Sequence, residues 1–470
     1  MDIKNAIISE KENIIKSLQD LIKIKSVSST PKYNMPNGEG VNNALLYMEE
    51  LAASMGFKTR NIDGHALEIE YGEGLSKGYI VTHLDVVPEG DGWTYPPYAG
   101  TLVGERIYGR GAIDNKGPSI SVLYTLKAIK DLNIKLNTRV RIIMGTSEET
   151  TMDDLKYYID KEGLPDWGLS PDNVYPIVNG EYGIAFIKFH KEIEKHLKLS
   201  EDIEIVELKG GVAFNSVPEY CFLKIKVSNS KNSYIIDRLN NFTVKGNHKI
   251  NVTQDGEYIT LESFGVAAHG GEPENGVNAI IPIVDFLCSV ATGGSKLIDF
   301  LVFINNTMGY ELNGKKLGIY SEDSSGCTVL NVGACNINSK MAECSVNIRY
   351  PVRTKGSYII EELNRKRIEY GIEFDVIKNS ESHYVDENCD FIKRLQKIYV
   401  ALTKRDAKLL SLKGGTYARM LGDKGVAFGP CELGSELCGN GHRADEYVDI
   451  NLLITNAIIY GNTILELCNL

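Results

Sequence analysis

Long uncharged apolar runs are missing from this chain of 470 residues. A membrane-spanning helix needs about 20 such residues, so the sequence predicts no membrane partner. The amino-terminal stretch is charged and amphipathic, and it does not resemble a secretory signal. Basic residues are also outnumbered, because 51 Lys and Arg stand against 62 Asp and Glu for a net charge of −11. Nucleic-acid binding depends on clustered Lys and Arg, so we expect no nucleic-acid partner.

Cysteine is scarce, with nine residues scattered between Cys221 and Cys468. An odd number without closely spaced pairs does not fit a disulfide framework, and it favours reduced thiols in a cytoplasmic protein. A thiolate zinc site formed by Cys431, Cys438 and His442 is an alternative, but structural zinc sites usually carry a tighter C-x₂₋₄-C pair. Internal repeats and low-complexity tracts are absent as well, so the length predicts two to three ordinary domains.

Strand and helix patterns alternate over the first part of the chain. The predicted helices cover residues 14–23, 42–55 and 118–129, and the predicted buried strands cover residues 79–82 and 140–144. Both strands end in acidic residues, Asp85 after the first and Glu148-Glu149 after the second. Such alternation predicts an α/β sheet, in which ligands bind at the carboxyl ends of the strands.

The middle of the chain has a different pattern. From about residue 185 to residue 383 the sequence shows short strands, hairpin signals and few helices, which is typical of an α+β domain. A long amphipathic helix at 391–402 and further α/β patterning then return. The sequence therefore predicts a discontinuous α/β domain of residues 1–184 and 384–470, with residues 185–383 inserted into it.

Five short segments carry imidazole or carboxylate groups at predicted strand ends and loops. They are His83-Leu84-Asp85, Gly109-Arg110-Gly111 with Asp114, Glu148-Glu149, Ser170-Pro171-Asp172, and Gly441-His442 with Ala444-Asp445-Glu446. An Asp close to a His can fix the imidazole tautomer, and tandem glutamates can divide metal binding and proton transfer between them. Each segment alone also has a plain structural explanation, such as a capped strand end, a glycine-rich turn or a solvated acidic turn.

Taken together, these segments offer only imidazole and carboxylate ligands. The candidate ligands are His83, Asp114, Glu149, Asp172 and His442. This set suits a hydrolytic site for two ions of zinc, manganese or cobalt. A carboxylate shared between ions about 3.5–4 Å apart would bridge them, and the pair would activate a water near neutral pH.

The motifs in this order resemble the co-catalytic metallopeptidase family of aminoacylases, carboxypeptidase-type enzymes and dipeptidases, and within it the bacterial PepV-type dipeptidases. The likeness spans nearly the whole chain. It implies a mixed-sheet catalytic domain of zinc-peptidase type with an inserted lid of two α+β subdomains. One ion would be held by His83, Asp114 and Asp172, and the other by Asp114, Glu149 and His442. The resemblance also implies that Asp85 orients His83, that Glu148 is the general base, and that the Asp114-Asn115 peptide bond is cis.

The resemblance extends to residues that would bind substrate. Ala267-Ala268-His269-Gly270 matches the lid motif whose histidine stabilises the oxyanion, an effect of ~3–4 kcal/mol for one donor. Asn215 and Arg349 match lid positions that hold substrate, and a guanidinium fits a terminal carboxylate. The segment Gly414, Gly415 and Thr416 matches a loop that binds the substrate carboxylate. The remaining histidines match no motif, and we expect structural or surface positions for them: His65, His190, His196, His248 and His383.

The sequence therefore favours a metal-dependent dipeptidase that hydrolyses unblocked dipeptides with two divalent ions, zinc before manganese or cobalt. An N-acyl-amino-acid deacylase uses the same chemistry and stays open, because no group that recognises a substrate amine is identified. A catalytically inactive binding protein on the same fold is the alternative of another class. Shorter family members have a smaller lid that dimerises and lends its histidine to the partner. The longer lid here implies that His269 acts within its own chain and that the protein works as a monomer.

Overall fold

The computed structural model describes residues 2–193, 197–246 and 249–468. Two compact units make up the chain. One, the split unit, consists of Met1–Gly180 and His383–Leu470, and the other, the inserted unit, consists of Glu181–Ser382. The boundaries expected from the sequence lay after residues 184 and 383, whereas the units divide after residues 180 and 382.

The split unit begins with alternating helices and strands. Its first helices are α1 (Ile3–Ser9), α2 (Lys11–Ile22), α3 (Glu39–Ser54), α4 (Lys116–Asp131) and α5 (Asp153–Glu162). Its first strands are β1 (Lys58–Ile62), β2 (Ala66–Tyr71), β3 (Lys77–His83), β4 (Thr101–Val103), β5 (Arg106–Tyr108), β6 (Arg139–Gly145), β7 (Trp167–Ser170), β8 (Asn173–Tyr175) and β9 (Ile177–Glu181). The predicted helices correspond to α2, α3 and α4, and the predicted strands correspond to β3 and β6, so these predictions are confirmed.

The inserted unit is richer in long strands. Its strands are β10 (Gly183–Glu192), β11 (Ile203–Gly210), β12 (Tyr220–Val227), β13 (Lys249–Asp255), β14 (Tyr258–Phe264), β15 (Glu322–Asp323), β16 (Gly326–Cys327), β17 (Val329–Ile337), β18 (Met341–Tyr350) and β19 (Glu373–Ser380). Its helices are α6 (Asn232–Gly246), α7 (Ile280–Val290), α8 (Lys296–Thr307) and α9 (Gly356–Tyr370).

The second segment of the split unit completes its sheet and its helical layer. Its elements are β20 (His383–Tyr384), α10 (Asp390–Thr403), β21 (Leu409–Leu412), β22 (Gly425–Ala427), β23 (Pro430–Glu432), β24 (Tyr447–Asp449) and α11 (Ile450–Cys468). A short 3₁₀ helix, Tyr417–Lys424, precedes β22, and another, Glu436–Cys438, follows β23. The amphipathic helix predicted at 391–402 is α10.

The main sheet of the split unit is mixed, with the order β1-β2-β6-β3-β7-β22-β9-β20 and with β21 beside β9. Its central strand β3 runs parallel to β6 and β7, whereas β1 and β2 are antiparallel additions at one edge. Nearly all residues of β3 and β6 are buried, as expected for parallel strands that are covered on both faces. Because β3, β6 and β7 are parallel, the residues that follow them meet at one edge of the sheet.

Helix α11 is long and apolar enough to cross a membrane, and it is the one described helix that passes this test of length and composition. More than half of its apolar window is buried inside the structure, and the helix packs against α4 and α1 in the core of the split unit. Three asparagines and one glutamate interrupt its apolar sequence, namely Asn451, Asn456, Asn462 and Glu466. Its burial shows that it serves here as a core helix.

The inserted unit is built on one eight-stranded sheet with the order β13-β14-β12-β11-β17-β18-β10-β19. The described pairs in this sheet are antiparallel. Helices α7 and α8 bury apolar residues against it in a single core. The two expected α+β subdomains are thus the halves of one continuous sheet, which join where β11 pairs with β17.

Candidate functional site

His83 is the last residue of β3, and its side chain is fully buried. Its Nδ1 lies 2.9 Å from the carbonyl oxygen of Asp85. Because a carbonyl can only accept, this contact places a proton on Nδ1 and directs Nε2 toward the site. Nε2 lies 3.0 Å from Oδ1 of Asp114 and 3.6 Å from Oδ1 of Asp172. The imidazole is therefore held in the orientation of a metal ligand.

Asp85 positions the tandem glutamates rather than only His83. Its buried carboxylate accepts hydrogen bonds from the backbone N–H groups of Glu148 at 3.2 Å and Glu149 at 3.1 Å. The same carboxylate is 3.5 Å from Nδ1 of His83, farther than the Asp85 carbonyl. The sequence assigned this side chain to the imidazole alone. The parallel pairing of β3 with β6 explains the difference, because it brings Asp85 beside the turn that follows β6.

Replacing Asp85 with alanine should therefore weaken metal binding and lower kcat, each by about 10- to 100-fold, as expected for a residue that orients metal ligands. Metal content and turnover of purified protein would measure both effects. Asp166→Ala is a matched control, because the Asp166 carboxylate also accepts a backbone N–H, from Lys77 at the opposite end of β3. Equal losses in the two variants would contradict the role of Asp85 at the site.

Asp114 lies between two imidazoles. Its Oδ1 faces His83, and its Oδ2 is 3.0 Å from Nε2 of His442. The same Nε2 is 3.0 Å from Oε1 of Glu149. Each oxygen of one carboxylate thus points to a different cluster of ligands, with His83 and Asp172 on one side and Glu149 and His442 on the other. A carboxylate placed in this way could contact two metal ions at once.

Asn115 connects two of the candidate ligands, and sequence reasoning assigned it no role. The Asp114-Asn115 peptide bond is cis, as the resemblance implied. The Asn115 side chain donates to the carbonyl of Pro171 at 2.7 Å and to Oδ1 of Asp172 at 3.0 Å. Asn115 therefore fixes the loop that carries Asp172 beside the loop that carries Asp114.

Glu148 lies on the His83 side of the cluster. Its carboxylate, the His83 ring and the Asp172 carboxylate offer ligand atoms within 4.8 Å of one another. Burial and the neighbouring Asp172 carboxylate raise the pKa of Glu148 well above its ordinary value. Burial also raises the pKa of Asp172 to about 7. A buried carboxyl group of this kind holds a proton more readily than an exposed one.

The other side of the cluster is equally rich in negative charge. Burial and the Asp114 carboxylate raise the pKa of Glu149, while the hydrogen bonds that His442 donates to Asp114 and Glu149 raise the pKa of His442 to about 11. Four carboxylates converge on only two imidazoles, and burial of so much like charge is costly without cations. The imidazole and carboxylate donors fit divalent zinc, manganese or cobalt, so the donor chemistry and the charge both indicate metal binding.

Cys431 and Cys438 are joined by a disulfide, with their Cα atoms 5.5 Å apart. The expectation of reduced thiols throughout is wrong for this pair, whereas the other seven cysteines are free. The alternative of a thiolate zinc site with His442 is also wrong, because His442 belongs to the carboxylate cluster. The two cysteines meet because the 3₁₀ helix Glu436–Cys438 folds back against β23, and their spacing in the sequence does not reveal this.

The sequence matches peptidase family M20/M25/M40 over residues 79–466, which is most of the chain. The chain belongs to this family. A relative named "Putative dipeptidase YtjP" from Bacillus subtilis (strain 168) is 35% identical over 472 residues, which cover 98% of each chain. As a member of this family, the protein is a metallopeptidase, a hydrolase of peptide bonds.

Solved structures show that the M20 fold extends over the whole chain. Human carnosine dipeptidase 1 aligns with a TM-score of 0.61 at 12% identity, and the alignment covers 100% of this chain and 98% of that one. The YXEP protein of Bacillus subtilis, described as a dinuclear metal binding peptidase of family M20, aligns with a TM-score of 0.52 at 11% identity over 98% and 99% of the two chains. The predicted fold class, an α/β catalytic domain of mixed sheet with an inserted α+β domain, is confirmed.

The predicted carboxylate-binding loop of this M20 peptidase, Gly414 to Thr416, leads directly to the metal cluster. This cluster consists of the side chains of His83, Asp114, Glu148, Glu149, Asp172 and His442. The next residue, Tyr417, meets the His83 ring edge-on with centroids 6.3 Å apart. A side chain at Gly414 would meet no atom within 4 Å, so the backbone there is accessible. Thr416 is buried, and its hydroxyl accepts from the N–H of Ala418 at 3.1 Å. That hydroxyl therefore caps the 3₁₀ helix Tyr417–Lys424, a role that the sequence did not predict.

Asp154 is a further residue that sequence reasoning missed. Its buried carboxylate accepts from the N–H groups of Thr146 at 2.5 Å and Ser147 at 2.9 Å, and also from the hydroxyl of Tyr417. These bonds hold the turn just before Glu148. No local pattern marks Asp154, because its partners are the turn that follows β6 and the first residue of a 3₁₀ helix more than 250 residues later.

Two of the predicted residues of the inserted unit lie close together. The N–H of Gly270 donates to the carbonyl of Asn215 at 2.8 Å, so Asn215 and His269 lie on adjacent loops. Nδ1 of His269 accepts from the N–H of Gly271 at 3.2 Å, which leaves the proton of a neutral ring on Nε2. Arg349 on β18 is buried, and its Nε donates to Oδ1 of Asn347 at 3.0 Å.

The histidines without a motif have structural contacts of their own wherever the structure describes them. His65 stacks on Tyr157 with ring centroids 4.2 Å apart. His190 on β10 is 3.5 Å from Asp375, and His383 is buried with Nε2 2.8 Å from the carbonyl of Gly425. His196 and His248 lie outside the described residues.

Proposed function

We propose that this M20 peptidase is a metal-dependent dipeptidase that hydrolyses the peptide bond of unblocked dipeptides, and that it is an enzyme of the PepV type. The observation that carries the proposal is the position of Asp114, whose two carboxylate oxygens each lie 3.0 Å from a different imidazole. The dipeptidase name of the relative that is 35% identical over nearly the whole chain supports the choice among peptidases.

Two divalent ions fit the cluster, with zinc as the first choice and manganese or cobalt as alternatives. His83, Asp114 and Asp172 would hold one ion, and Asp114, Glu149 and His442 the other. When bound, the ions supply Lewis acidity toward the peptide carbonyl and toward a water. The imidazole and carboxylate donors favour zinc over magnesium or calcium, which prefer oxygen ligands alone.

Glu148 acts as the general base and then as the general acid. Its carboxylate takes a proton from the attacking water and passes it to the departing amine, which must leave in protonated form. Asp85 holds the backbone of Glu148 and Glu149, so that one carboxylate faces the water while the other binds metal. The two glutamates can keep these separate roles only if the turn after β6 stays fixed. The buried carboxylates of Asp85 and Asp154 fix it by accepting hydrogen bonds from its backbone N–H groups.

Residues of the inserted unit act on the substrate. His269 donates its Nε2–H to the oxyanion that develops on the carbonyl. Arg349 and Asn215 bind the substrate, with the guanidinium suited to the terminal carboxylate. In the split unit, the accessible backbone at Gly414, with Gly415 and Thr416 after it, offers N–H groups to the substrate carboxylate.

A pair of substrates that differ only at the amino end tests the substrate class. Protein reconstituted with zinc, manganese or cobalt would be offered alanyl-leucine and N-acetyl-leucine, and mass spectrometry would follow release of leucine. We expect turnover of the free dipeptide at least ten times faster than turnover of the acylated amino acid. Faster cleavage of N-acetyl-leucine would instead identify a deacylase, and failure to cleave either would indicate a binding protein.

The proposal includes a monomeric protein in the cytoplasm, with His269 acting within its own chain. The continuous eight-stranded sheet of the inserted unit supports a monomer, because one chain then contains a lid as large as two smaller lids together. The seven free cysteines support a location in the cytoplasm. Light scattering combined with activity measurements over a dilution series should show a monomer with constant specific activity. An obligate dimer that loses activity on dilution would contradict the monomer.

A further inference from the structure

A buried ion pair, Arg110 with Glu446, contacts the backbone of Asp114 in the split unit. Nη1 of Arg110 is 2.6 Å from Oε2 of Glu446, and the two side chains are 2% and 0% exposed. An ion pair buried to this extent contributes little net stability, because removing both charges from water offsets their attraction. Such pairs are better explained by the geometry that they impose than by the stability that they add.

Glu446 joins the segments of two metal ligands. Its Oε1 accepts from the backbone N–H of Ile113 at 3.1 Å and of Asp114 at 3.2 Å. Glu446 also lies four residues after His442, in a loop that closes where the N–H of Tyr447 donates to the carbonyl of Gly439 at 2.8 Å. The carboxylate thus sets the distance between the backbone of Asp114 and the loop of His442.

Arg110 extends the connection to a third segment. Its Nη2 donates to the carbonyl of Glu89 at 3.2 Å and to that of Pro88 at 3.4 Å. These carbonyls belong to the loop that follows His83 and Asp85 at the end of β3. The guanidinium also lies over the ring of Trp93, 5.2 Å from its centroid, which fixes its plane.

We propose that the Arg110–Glu446 pair is the positioning element of the metal centre, which holds Asp114 at the separation from His83 and His442 that lets it bridge two ions. Three ligand-bearing segments converge on this one pair, and each partner of the Glu446 carboxylate is a hydrogen-bond donor. The inference rests on the proposed function only in that the cluster binds metal, and it does not depend on which peptide or amide is cleaved.

Cobalt binding tests the proposal without any substrate. Chelator-treated full-length protein would be titrated with Co²⁺, and the dissociation constants and the visible absorption bands of the bound ion would be recorded. In Glu446→Gln the amide keeps an acceptor for Asp114 but presents an NH₂ group to Arg110. We expect about 10- to 100-fold weaker Co²⁺ binding and shifted absorption bands. With metal at saturating concentration, kcat should stay below that of the wild type while KM is unchanged.

Glu68→Gln is the matched control. The Glu68 side chain on β2 is buried like that of Glu446. It pairs with Arg60 on β1 at 2.7 Å and with Arg141 on β6 at 3.1 Å, and none of the contacts described for either arginine involves a proposed metal ligand. Both variants should lower Tm, but only Glu446→Gln should change Co²⁺ affinity and spectrum. Wild-type Co²⁺ affinity in Glu446→Gln, or equal weakening in both variants, would overturn the proposal.

A second variant keeps the test decisive if Glu446→Gln does not fold. Arg110→Lys retains the charge for Glu446 but lacks the planar fork that reaches Pro88 and Glu89. We expect Co²⁺ binding between that of the wild type and that of Glu446→Gln. Wild-type affinity with an unchanged spectrum in Arg110→Lys would contradict the part of the proposal that assigns the third segment to the guanidinium.

Discussion

Glu148→Ala is expected to lower kcat by about 10²- to 10⁴-fold while the protein keeps both metal ions. The physical reason is that proton transfer through a positioned carboxylate contributes an effect of this size. Glu148 lies among His83 and Asp172, but the Glu148 backbone, rather than its carboxylate, takes part in the bonds that hold the turn. Removing the carboxylate should therefore leave the ligands in place. Steady-state kinetics and metal analysis of the same sample would measure the two effects.

The neighbouring glutamate provides the control. Glu149 has the same side chain one residue later, and its Oε1 lies 3.0 Å from His442. Glu149→Ala should lose one of the two ions together with activity, whereas Glu148→Ala should lose activity alone. Wild-type activity in Glu148→Ala, or the same loss of metal in both variants, would show that Glu148 is not the base.

Removal of metal is expected to abolish peptide hydrolysis, and added zinc, manganese or cobalt should restore it. The stoichiometry of bound metal gives a sharper result. Asp114→Ala should lose both ions, because its two oxygens face His83 and His442 separately. His442→Ala should retain one ion, since His83, Asp114 and Asp172 remain on the other side of the cluster. Titration of chelator-treated protein followed by metal analysis would measure these ratios.

His65→Ala is the control for these variants. This histidine belongs to the same unit and stacks on Tyr157, outside the metal cluster. Its replacement should leave two ions bound and turnover unchanged. Two ions bound with wild-type affinity in Asp114→Ala would contradict the bridging role, and it would require a different arrangement of ligands.

Local patterns in the sequence were sufficient for the principal elements of the split unit. The apolar runs at 79–82 and 140–144 are the buried centres of β3 and β6, and helical spacing after Pro118 corresponds to α4. The prediction of these strands is correct because a strand that is buried on both faces consists almost entirely of apolar residues, which form a recognisable run in the sequence. The long helix α11 was not recognised, since its apolar run is broken by asparagines, although it fills the core beside α4.

Contacts between distant segments account for most of what the sequence left out. Asp154 bonds to Tyr417, Arg110 to Glu446, and Asn115 to Asp172, and none of these pairs has a spacing that predicts contact. The three long-range contacts form only once the order of strands in the sheet is set. The disulfide of Cys431 and Cys438 is local, with a sequence separation of 7 residues, but it too depends on a three-dimensional feature, because the 3₁₀ helix Glu436–Cys438 folds back against β23.

The sequence by itself determined the chemistry of this M20 peptidase. The five proposed imidazole and carboxylate ligands and the glutamate beside one of them are residue identities, and as a set they fit metal-assisted hydrolysis. Tertiary structure alone decided how these groups are held. The parallel pairing of β3 with β6 places the Asp85 carboxylate where it accepts hydrogen bonds from the turn that carries Glu148. The buried Arg110–Glu446 pair connects the loops of Asp114 and His442. The sequence gives the type of each side chain directly. Hydrogen bonds between residues far apart in the chain form only after the strands have packed, because only then do the two groups come within reach of each other.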